Sequence, residues 1–222
     1  TERGEAAKAA ESMITTTNLN ELFQIVNVEH GEPHHVLGMH EVEHDGKKFV
    51  AVRAFVPQAK EIVVVDDADK EKMYPMMKIH EDGFFEVIIE DRKEWFKYQL
   101  SLTDYEENHW ITYDAYSFAP TISEYDRYLF GAGNHYKIFE KLGAHITTVD
   151  GVEGVSFGVW APNAKAVSVI GTFNSWDSRR NPMRVLGESG IWELFIPGLR
   201  EYDQYKYQIK DKYNNVCDKA DP

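Results

Sequence analysis

Cysteine is scarce in this sequence, and long apolar segments are absent. Cys217 is the only cysteine among 222 residues, so the chain cannot form an internal disulfide, which agrees with a reducing compartment. No uninterrupted apolar run approaches the roughly 20 residues that a membrane-spanning helix needs. The opening stretch 1–17 carries acidic side chains and lacks the basic start and apolar centre of a secretory signal. We therefore expect a soluble cytoplasmic protein without a membrane partner.

Positive charge is also in short supply. The chain has 24 Lys and Arg against 37 Asp and Glu, which gives a formal net charge of -13 at pH 7. Such a surface repels the phosphate backbone of nucleic acids, so nucleic acid is not an expected partner. The hydrophobic content of 43%, with charges scattered through it, indicates a globular chain that is long enough for two domains.

The usual signatures of an active site are missing as well. The sequence contains no nucleophile elbow of the form G-x-S-x-G and no glycine-rich phosphate loop. Five histidines lie between residues 30 and 44, namely His30, His34, His35, His40 and His44. No cysteine accompanies them, and solvated or hydrogen-bonded histidines are the simpler interpretation. We expect neither a bound metal nor a cofactor.

The amino-terminal part predicts one short helix, and the rest predicts strands. Apolar residues of the stretch 19–26 share a helical face, Asn18 is placed as the N-cap, and Gly31 and Pro33 follow as stop signals. From about residue 47 the pattern changes to short alternating segments separated by turn signals such as Glu81-Asp82-Gly83. Short alternating strands of this kind are typical of antiparallel β-sandwiches.

The strand pattern occurs twice. The stretch VRAFVPQAKEIVVV (52–65) is paralleled by FGVWAPNAKAVSVI (157–170), and FKYQL (96–100) is paralleled by YKYQI (205–209). A further matching pair lies between these stretches in each copy, namely YPMMKIHEDGFFEVII in the first and NPMRVLGESGIWELFI in the second. Since the offset stays between 105 and 109 residues, we infer a tandem duplication. The predicted fold class is all-β, with two tandem antiparallel, immunoglobulin-like β-sandwiches.

The predicted boundaries divide the chain into four segments. An amino-terminal tail and helix (1–33) precede the first sandwich (34–112), an aromatic-rich connector (113–153) follows, and the second sandwich (154–222) completes the chain. A short helix is predicted within the connector at 136–142, with Gly143 as its stop. Because a free linker would be polar, we expect the connector to pack along the domains.

The two copies differ most at one loop. The second copy has GTFNSWD, whereas the first has the acidic stretch DDADKEKMY without a tryptophan. Trp192 has a counterpart in Phe85 but Trp176 has none, so we interpret Trp176 as an exposed recognition residue. An indole can stack on the apolar face of a sugar ring, and Asn174 and Lys206 can bind sugar hydroxyls. The residues leave open the alternative that Trp176 only covers a core or a domain contact.

The second copy resembles a known family. The stretch SFGVWAPNAKAVSVIGTFNSWDSRRNPMRVLGESGIWELFIPG, with YKYQI and KADP, is similar to the amino-terminal carbohydrate-binding module of bacterial 1,4-α-glucan (glycogen) branching enzymes. HHVLGMH, YDAYSFAP and HYKIFEKLGAHI resemble the leading module and connector of the long-form enzymes. The resemblance implies a parent enzyme that cleaves α-1,4-glucan and forms α-1,6 branches on an amylase-type barrel. We expect this chain to precede that barrel and to hold no catalytic residue.

The resemblance also implies binding residues. In related modules the tryptophan of the FN.W loop, the lysine of YK and a second tryptophan contact sugar; the first two match Trp176 and Lys206, and Tyr213 stands at the third place. The expected partners are α-glucans, such as glycogen and malto-oligosaccharides, and the catalytic barrel of the same enzyme. The alternatives are a structural spacer that packs on the barrel without binding glycan, or a stand-alone glycogen-targeting module.

Overall fold

The computed structural model describes residues 15–134, 137–201 and 203–221. Two compact units divide the chain: the first contains the residues up to Val26 and Val36–Ile111, and the second contains Asn27–His35 and the residues from Thr112 onward. Each unit is an antiparallel β-structure with its own apolar core. The predicted all-β class with two tandem sandwiches is confirmed.

The short amino-terminal helix is present as α1 (Leu19–Val26). Asn18 caps it, because its side-chain oxygen accepts a hydrogen bond from the amide of Asn20 at 2.8 Å. The helix buries Leu22, Ile25 and Val26. It ends earlier than Gly31, since Val28 already has a left-handed backbone with φ of 54°.

The first sandwich is built from two four-stranded sheets. Their strands are β1 (Gly38–His44), β2 (Lys47–Phe55), β3 (Ala59–Asp66), β4 (Met73–Pro75), β5 (Met77–His80), β6 (Phe84–Ile89), β7 (Tyr98–Asp104) and β8 (His109–Tyr113). One sheet has the order β1-β2-β6-β5 and the other has the order β4-β3-β7-β8. The core between them includes Val52, Val64, Phe85 and Leu100.

The second sandwich repeats this plan with a sheet of four strands and a sheet of three. Its strands are β9 (Gly143–Val149), β10 (Val152–Trp160), β11 (Ala164–Gly171), β12 (Arg184–Val185), β13 (Ile191–Pro197), β14 (Tyr205–Asp211) and β15 (Val216–Lys219). The sheet orders are β12-β13-β10-β9 and β11-β14-β15. Trp192 is fully buried in the core and donates its indole hydrogen to the carbonyl of Ala161 at 3.0 Å.

Matching turns in the two units support the duplication. Asp104 and Asp211 each begin a five-residue turn. In each turn the aspartate carboxylate accepts hydrogen bonds from the backbone amide and the side-chain amide of the residue four positions later, which is Asn108 in the first unit and Asn215 in the second. Asp66 and Gly171 are the last residues of the corresponding strands β3 and β11. In the strand register, Tyr98 is opposite Asp66 and Tyr205 is opposite Gly171. Tyr205 therefore corresponds to Tyr98, so the pairing of FKYQL with YKYQI is wrong by two residues.

The segment predicted as a connector contains regular structure of the second unit. A helix that the sequence analysis missed, α2 (Glu124–Gly131), begins after Ser123, whose hydroxyl accepts from the amide of Asp126 at 3.1 Å. The predicted helix over 136–142 is not formed in its described part, because Ile138–Glu140 makes only a 3-10 turn and Gly143 starts β9. Tyr136 lies outside the described residues.

Each unit also buries an arginine–glutamate pair. In the first unit, Arg53 on β2 meets Glu86 on β6 with 3.0 Å between Nε and Oε2. In the second unit, Arg184 on β12 donates from Nε to Glu193 on β13 at 3.0 Å. Burial raises the pKa of Glu193, although Arg184 acts in the opposite direction. Glutamate is thus retained at equivalent places on the corresponding strands, whereas the partner arginine comes from different strands.

Candidate functional site

The loop after β11 holds its tryptophan on a strained backbone. Thr172–Asn174 form a 3-10 turn, and the next two residues, Ser175 and Trp176, both have left-handed backbones with φ of 57° and 59°. Such angles are uncommon for residues other than glycine and cost about 1–3 kcal/mol each. The backbone amide of Trp176 donates a hydrogen bond to the carbonyl of Gly171 at 2.9 Å, which closes the loop. Trp176 as a whole residue is left 41% exposed.

Asn174 shapes this loop from the inside. Only 2% of the residue is exposed. Its side-chain oxygen accepts from the amide of Gly171 at 2.9 Å, and its amide nitrogen donates to the carbonyl of Val169 at 2.8 Å and to Asn181 Oδ1 at 2.9 Å. The expectation that Asn174 binds a sugar hydroxyl is therefore corrected: its polar atoms are already used to hold the loop.

Phe173 anchors the same loop in the core. Its ring packs near Phe157, with 6.2 Å between centroids, and it belongs to the periphery of the second unit's apolar core. Of the two aromatic residues in the FNSW stretch, one faces inward and one faces outward. This division explains how a loop of polar residues can keep an indole in a fixed position.

The carboxyl end of the loop contains two arginines in different situations. Arg179 chelates the carboxylate of Asp177 through Nε at 3.0 Å and Nη2 at 2.8 Å. Although burial acts to raise it, these hydrogen bonds hold the pKa of Asp177 below its usual value. Arg180 Nε is buried and has no hydrogen-bond partner among the described residues. Sequence reasoning missed Arg180, since an arginine in a polar loop gives no separate signal.

Lys206 lies at the same end of the β11–β14 pair as the loop. It is opposite Ile170 in the register, next to the pair formed by Gly171 and Tyr205. The amide of Thr172 also donates to the carbonyl of Gln204 at 3.0 Å, which holds the start of the loop against the start of β14. Tyr205 and Tyr207 pack in the core, so the exposed Lys206 faces the opposite side of the sheet.

Tyr213 lies at the other end of β14. It is highly exposed in the turn to β15, where its amide donates to Asp211 Oδ1 at 2.8 Å. The amine of Lys212 is 5.1 Å from the centre of its ring. From Lys206 to Asp211 the strand advances about 17 Å at roughly 3.3 Å per residue. The structure therefore brings Trp176 and Lys206 to one end of the sheet and leaves Tyr213 at the other.

Other side chains on the outward face of β14 already have partners. Gln208 donates to Asp218 Oδ1 at 3.1 Å, and the amine of Lys210 donates to the carbonyl of Asn27 at 2.8 Å. Burial lowers the pKa of Lys210. The segment Asn27–His35 thus covers the Lys210 part of this face, while the Lys206 part is open.

The described part of the chain contains no group of three or more His, Cys, Asp and Glu residues that are placed to hold a metal ion. Within the same residues, no helix has the length and apolar character required to span a membrane.

The fold and the exposed groups define a class of protein. The second unit is a small antiparallel sandwich that presents an indole, a lysine and a phenol at one of its sheets, which is the architecture of a carbohydrate-binding module. Comparison with known families agrees: residues 141–222 match Carbohydrate-binding module 48 (Isoamylase N-terminal domain). Residues 18–116 match the family alpha-1,4-glucan branching enzyme GlgB, N-terminal domain. The two matched stretches, 18–116 and 141–222, make this chain similar to the amino-terminal region of the 1,4-alpha-glucan branching enzymes GlgB.

Individual relatives show the same correspondence. The chain is 45% identical over 209 residues to the 1,4-alpha-glucan branching enzyme GlgB of Thermosynechococcus vestitus, covering 93% of this chain and 27% of the relative. The enzyme of the same name from Trichodesmium erythraeum is 43% identical over 208 residues, covering 93% and 26%. The chain thus spans about a quarter of the length of the curated relatives it matches.

Solved structures give a weaker likeness. A pullulanase from Anoxybacillus sp. LM18-11 is 16% identical, with a TM-score of 0.29, and the match covers 82% of this chain and 24% of that one. A superposition this poor supports no further conclusion.

Proposed function

We propose that this chain binds α-glucan through its second sandwich and serves as the non-catalytic amino-terminal region of a 1,4-α-glucan branching enzyme. The whole enzyme would cleave an α-1,4-glucan and transfer the released piece to form an α-1,6 branch on a separate catalytic barrel. The observation that carries the proposal is the exposed indole of Trp176 on a loop whose backbone is strained and fixed by hydrogen bonds.

Strain favours a binding role over simple packing. Two consecutive left-handed residues persist only where surrounding contacts compensate for them. Asn174 and Phe173 provide those contacts from inside the domain, and the result is an indole that points away from the core that they stabilise. A tryptophan needed only to cover the core would not require this backbone.

The polar groups nearby suit a neutral, hydroxyl-rich ligand. Lys206 offers an exposed ammonium donor at the end of the sheet where the loop begins. The acidic chain, with its formal charge of -13, would repel a polyanion but not a neutral glucan. Sugar hydroxyls are acceptors as well as donors, and the pyranose ring supplies the apolar face that an indole needs.

The open part of this platform is the end of the sheet that carries Trp176 and Lys206, because the segment Asn27–His35 covers the Lys210 part of β14. Tyr213 is exposed beyond that covered part and offers a second, smaller aromatic surface to a ligand that contacts both ends of the sheet. We propose that malto-oligosaccharides and the outer chains of glycogen are the ligands, because both expose pyranose rings that can stack on an indole.

The first sandwich has a different role in this proposal. The corresponding loop, 66–72, has no tryptophan, and its Asp66 is held by Arg92. We assign this module to positioning the second sandwich or to selecting chain length. A spacer role for the whole chain is the competing hypothesis, and it predicts a folded protein that is indifferent to glucans.

A lysine substitution tests the proposed surface. Lys206→Ala is expected to weaken binding of maltoheptaose by roughly fivefold, because it removes a hydrogen bond worth about 1 kcal/mol. Isothermal titration calorimetry measures the change. Lys219→Ala is the matched control. Lys219 is exposed on β15 and is the register partner of Tyr207, so its side chain lies on the face of the sheet that Lys206 does not use. If both variants bound maltoheptaose with the affinity of the unmodified chain, Lys206 would not be part of the binding site.

A further inference from the structure

An open groove lies on the second unit, apart from the loop that holds Trp176. Its volume is about 570 Å³, and its walls are helix α2 and the turn that joins β12 to β13. The helix contributes Glu124, Arg127, Tyr128, Gly131 and Ala132, and the turn contributes residues 186–189. The helix positions are spaced at i, i+3, i+4, i+7 and i+8, so they form one continuous face.

The helix is fixed by its opposite side. Phe130 packs edge-on against Trp160, with 5.9 Å between ring centroids, and also contacts the apolar cluster of Ile122, Leu186 and Ile191. The groove-facing positions Gly131 and Ala132 are small and leave room for a ligand above them. One face of α2 therefore holds the helix in place, and the other remains open.

Tyr128 gives the groove an aromatic wall. It is 70% exposed, although it is one of the larger apolar surfaces on the helix. Arg127, which is mostly covered, lies beside it, with Nη2 at 3.9 Å from the carboxylate of Glu124. Gly187, in the facing turn, has a left-handed backbone with φ of 57°, and a β-carbon there would lie at an ordinary contact distance of 3.9 Å from Arg127 Nη1.

The charges in the groove restrict the class of ligand. Glu124 and Glu188 outnumber Arg127, which lies near the Glu124 carboxylate, so the groove disfavours a phosphate or a carboxylate. A neutral ligand with many hydroxyls can donate to the carboxylates and accept from the guanidinium at the same time. A flat apolar face on the same ligand would stack on Tyr128. A sugar ring has all of these properties.

We propose that this groove is a second saccharide-binding site, which takes one or two units of a neutral α-glucan with a ring stacked on Tyr128. The assignment goes beyond the Trp176 surface and does not depend on it, because the two sites share no residue. Both sites belong to the same compact unit. A long or branched glucan that reaches both would be held more tightly than a short one, through the effective concentration of the second contact.

The test is a calorimetric titration of the whole chain with maltotriose, comparing four variants. The unmodified chain is expected to bind two molecules, Tyr128→Ala and Trp176→Ala one each, and the double variant none. Tyr125→Ala is the matched control, because Tyr125 is 68% exposed on the same helix and does not line the groove. Alanine is a good helix former, so neither substitution should unfold α2.

The possible outcomes separate the two sites. A Tyr128→Ala variant that binds maltotriose with the stoichiometry and affinity of the unmodified chain would overturn the second site and leave the Trp176 surface intact. Loss of binding in Tyr128→Ala together with normal binding in Trp176→Ala would keep the groove and overturn the proposed Trp176 surface. An equal loss in Tyr125→Ala and Tyr128→Ala would also contradict the groove, since it would trace the effect to the helix as a whole.

Discussion

Replacement of Trp176 by alanine is expected to weaken binding of maltoheptaose by roughly 30-fold or more, because a buried aromatic contact in a binding site typically contributes about 2 kcal/mol. The indole is the largest exposed apolar group of its loop, and the loop is held by contacts that do not involve the indole ring. The folded state should therefore survive the substitution. Isothermal titration calorimetry gives the affinity, and circular dichroism confirms the fold.

Two further variants make this result specific. Trp176→Phe keeps a smaller aromatic surface and should recover part of the affinity. Trp95→Ala removes another exposed tryptophan, this one from the first unit, and should bind like the unmodified chain. Exposure alone does not single out Trp176, since Trp95 and Trp160 are also exposed. If Trp176→Ala bound maltoheptaose normally, the platform would have to lie elsewhere.

Replacement of Arg53 by methionine is expected to destabilise the first unit by about 3–5 kcal/mol, because it leaves a buried carboxylate without its partner charge. Only 1% of the Glu86 side chain is exposed. Arg53 also donates to the carbonyl of Val36 at 3.1 Å and to Thr16 Oγ1 at 2.9 Å. Thr16 would still donate hydrogen bonds to Glu86, through its amide at 2.9 Å and its hydroxyl.

A double variant distinguishes charge burial from lost packing. Arg53→Met combined with Glu86→Leu removes both charges and should recover most of the stability, as replacing a buried ion pair by apolar groups often does. Native-state hydrogen exchange of the β2 and β6 amides reports on the first unit separately from the second. A double variant as unstable as the single one would show that the pair matters through its shape and not through its charge.

The repeated strand pattern predicted most of the fold because both units are governed by the same local rules. Pro57 with Gly83, and Pro162 with Gly190, recur because a β-carbon at either glycine would approach the proline Cα to 2.7 or 2.9 Å. Such sterically required pairs are visible in sequence. The two-residue error in matching YKYQI arose because residue similarity favoured Phe96 and Tyr205, whereas the register is set by the turns at Asp104 and Asp211.

The site was harder to predict than the fold. Trp176 differs between the copies, and that difference is readable. The role of Asn174 cannot be read from the sequence, because an asparagine that binds a ligand and one that stabilises a loop occur in the same kind of sequence. The three internal hydrogen bonds of its side chain distinguish the two roles. The contact of Asn27 with Lys210 joins residues 183 positions apart, which no local pattern encodes.

The most direct measurement of the central claim is an NMR titration of the tryptophan indole signals with maltoheptaose. The chain has 5 tryptophans, so few indole N–H signals need assignment, and Trp176→Phe identifies the one of interest. We expect a saturable shift of the Trp176 signal, while the signal of the fully buried Trp192 stays in place as an internal control. If the Trp176 signal does not move at saturating sugar in the folded chain, the glucan platform is contradicted and the spacer hypothesis replaces it.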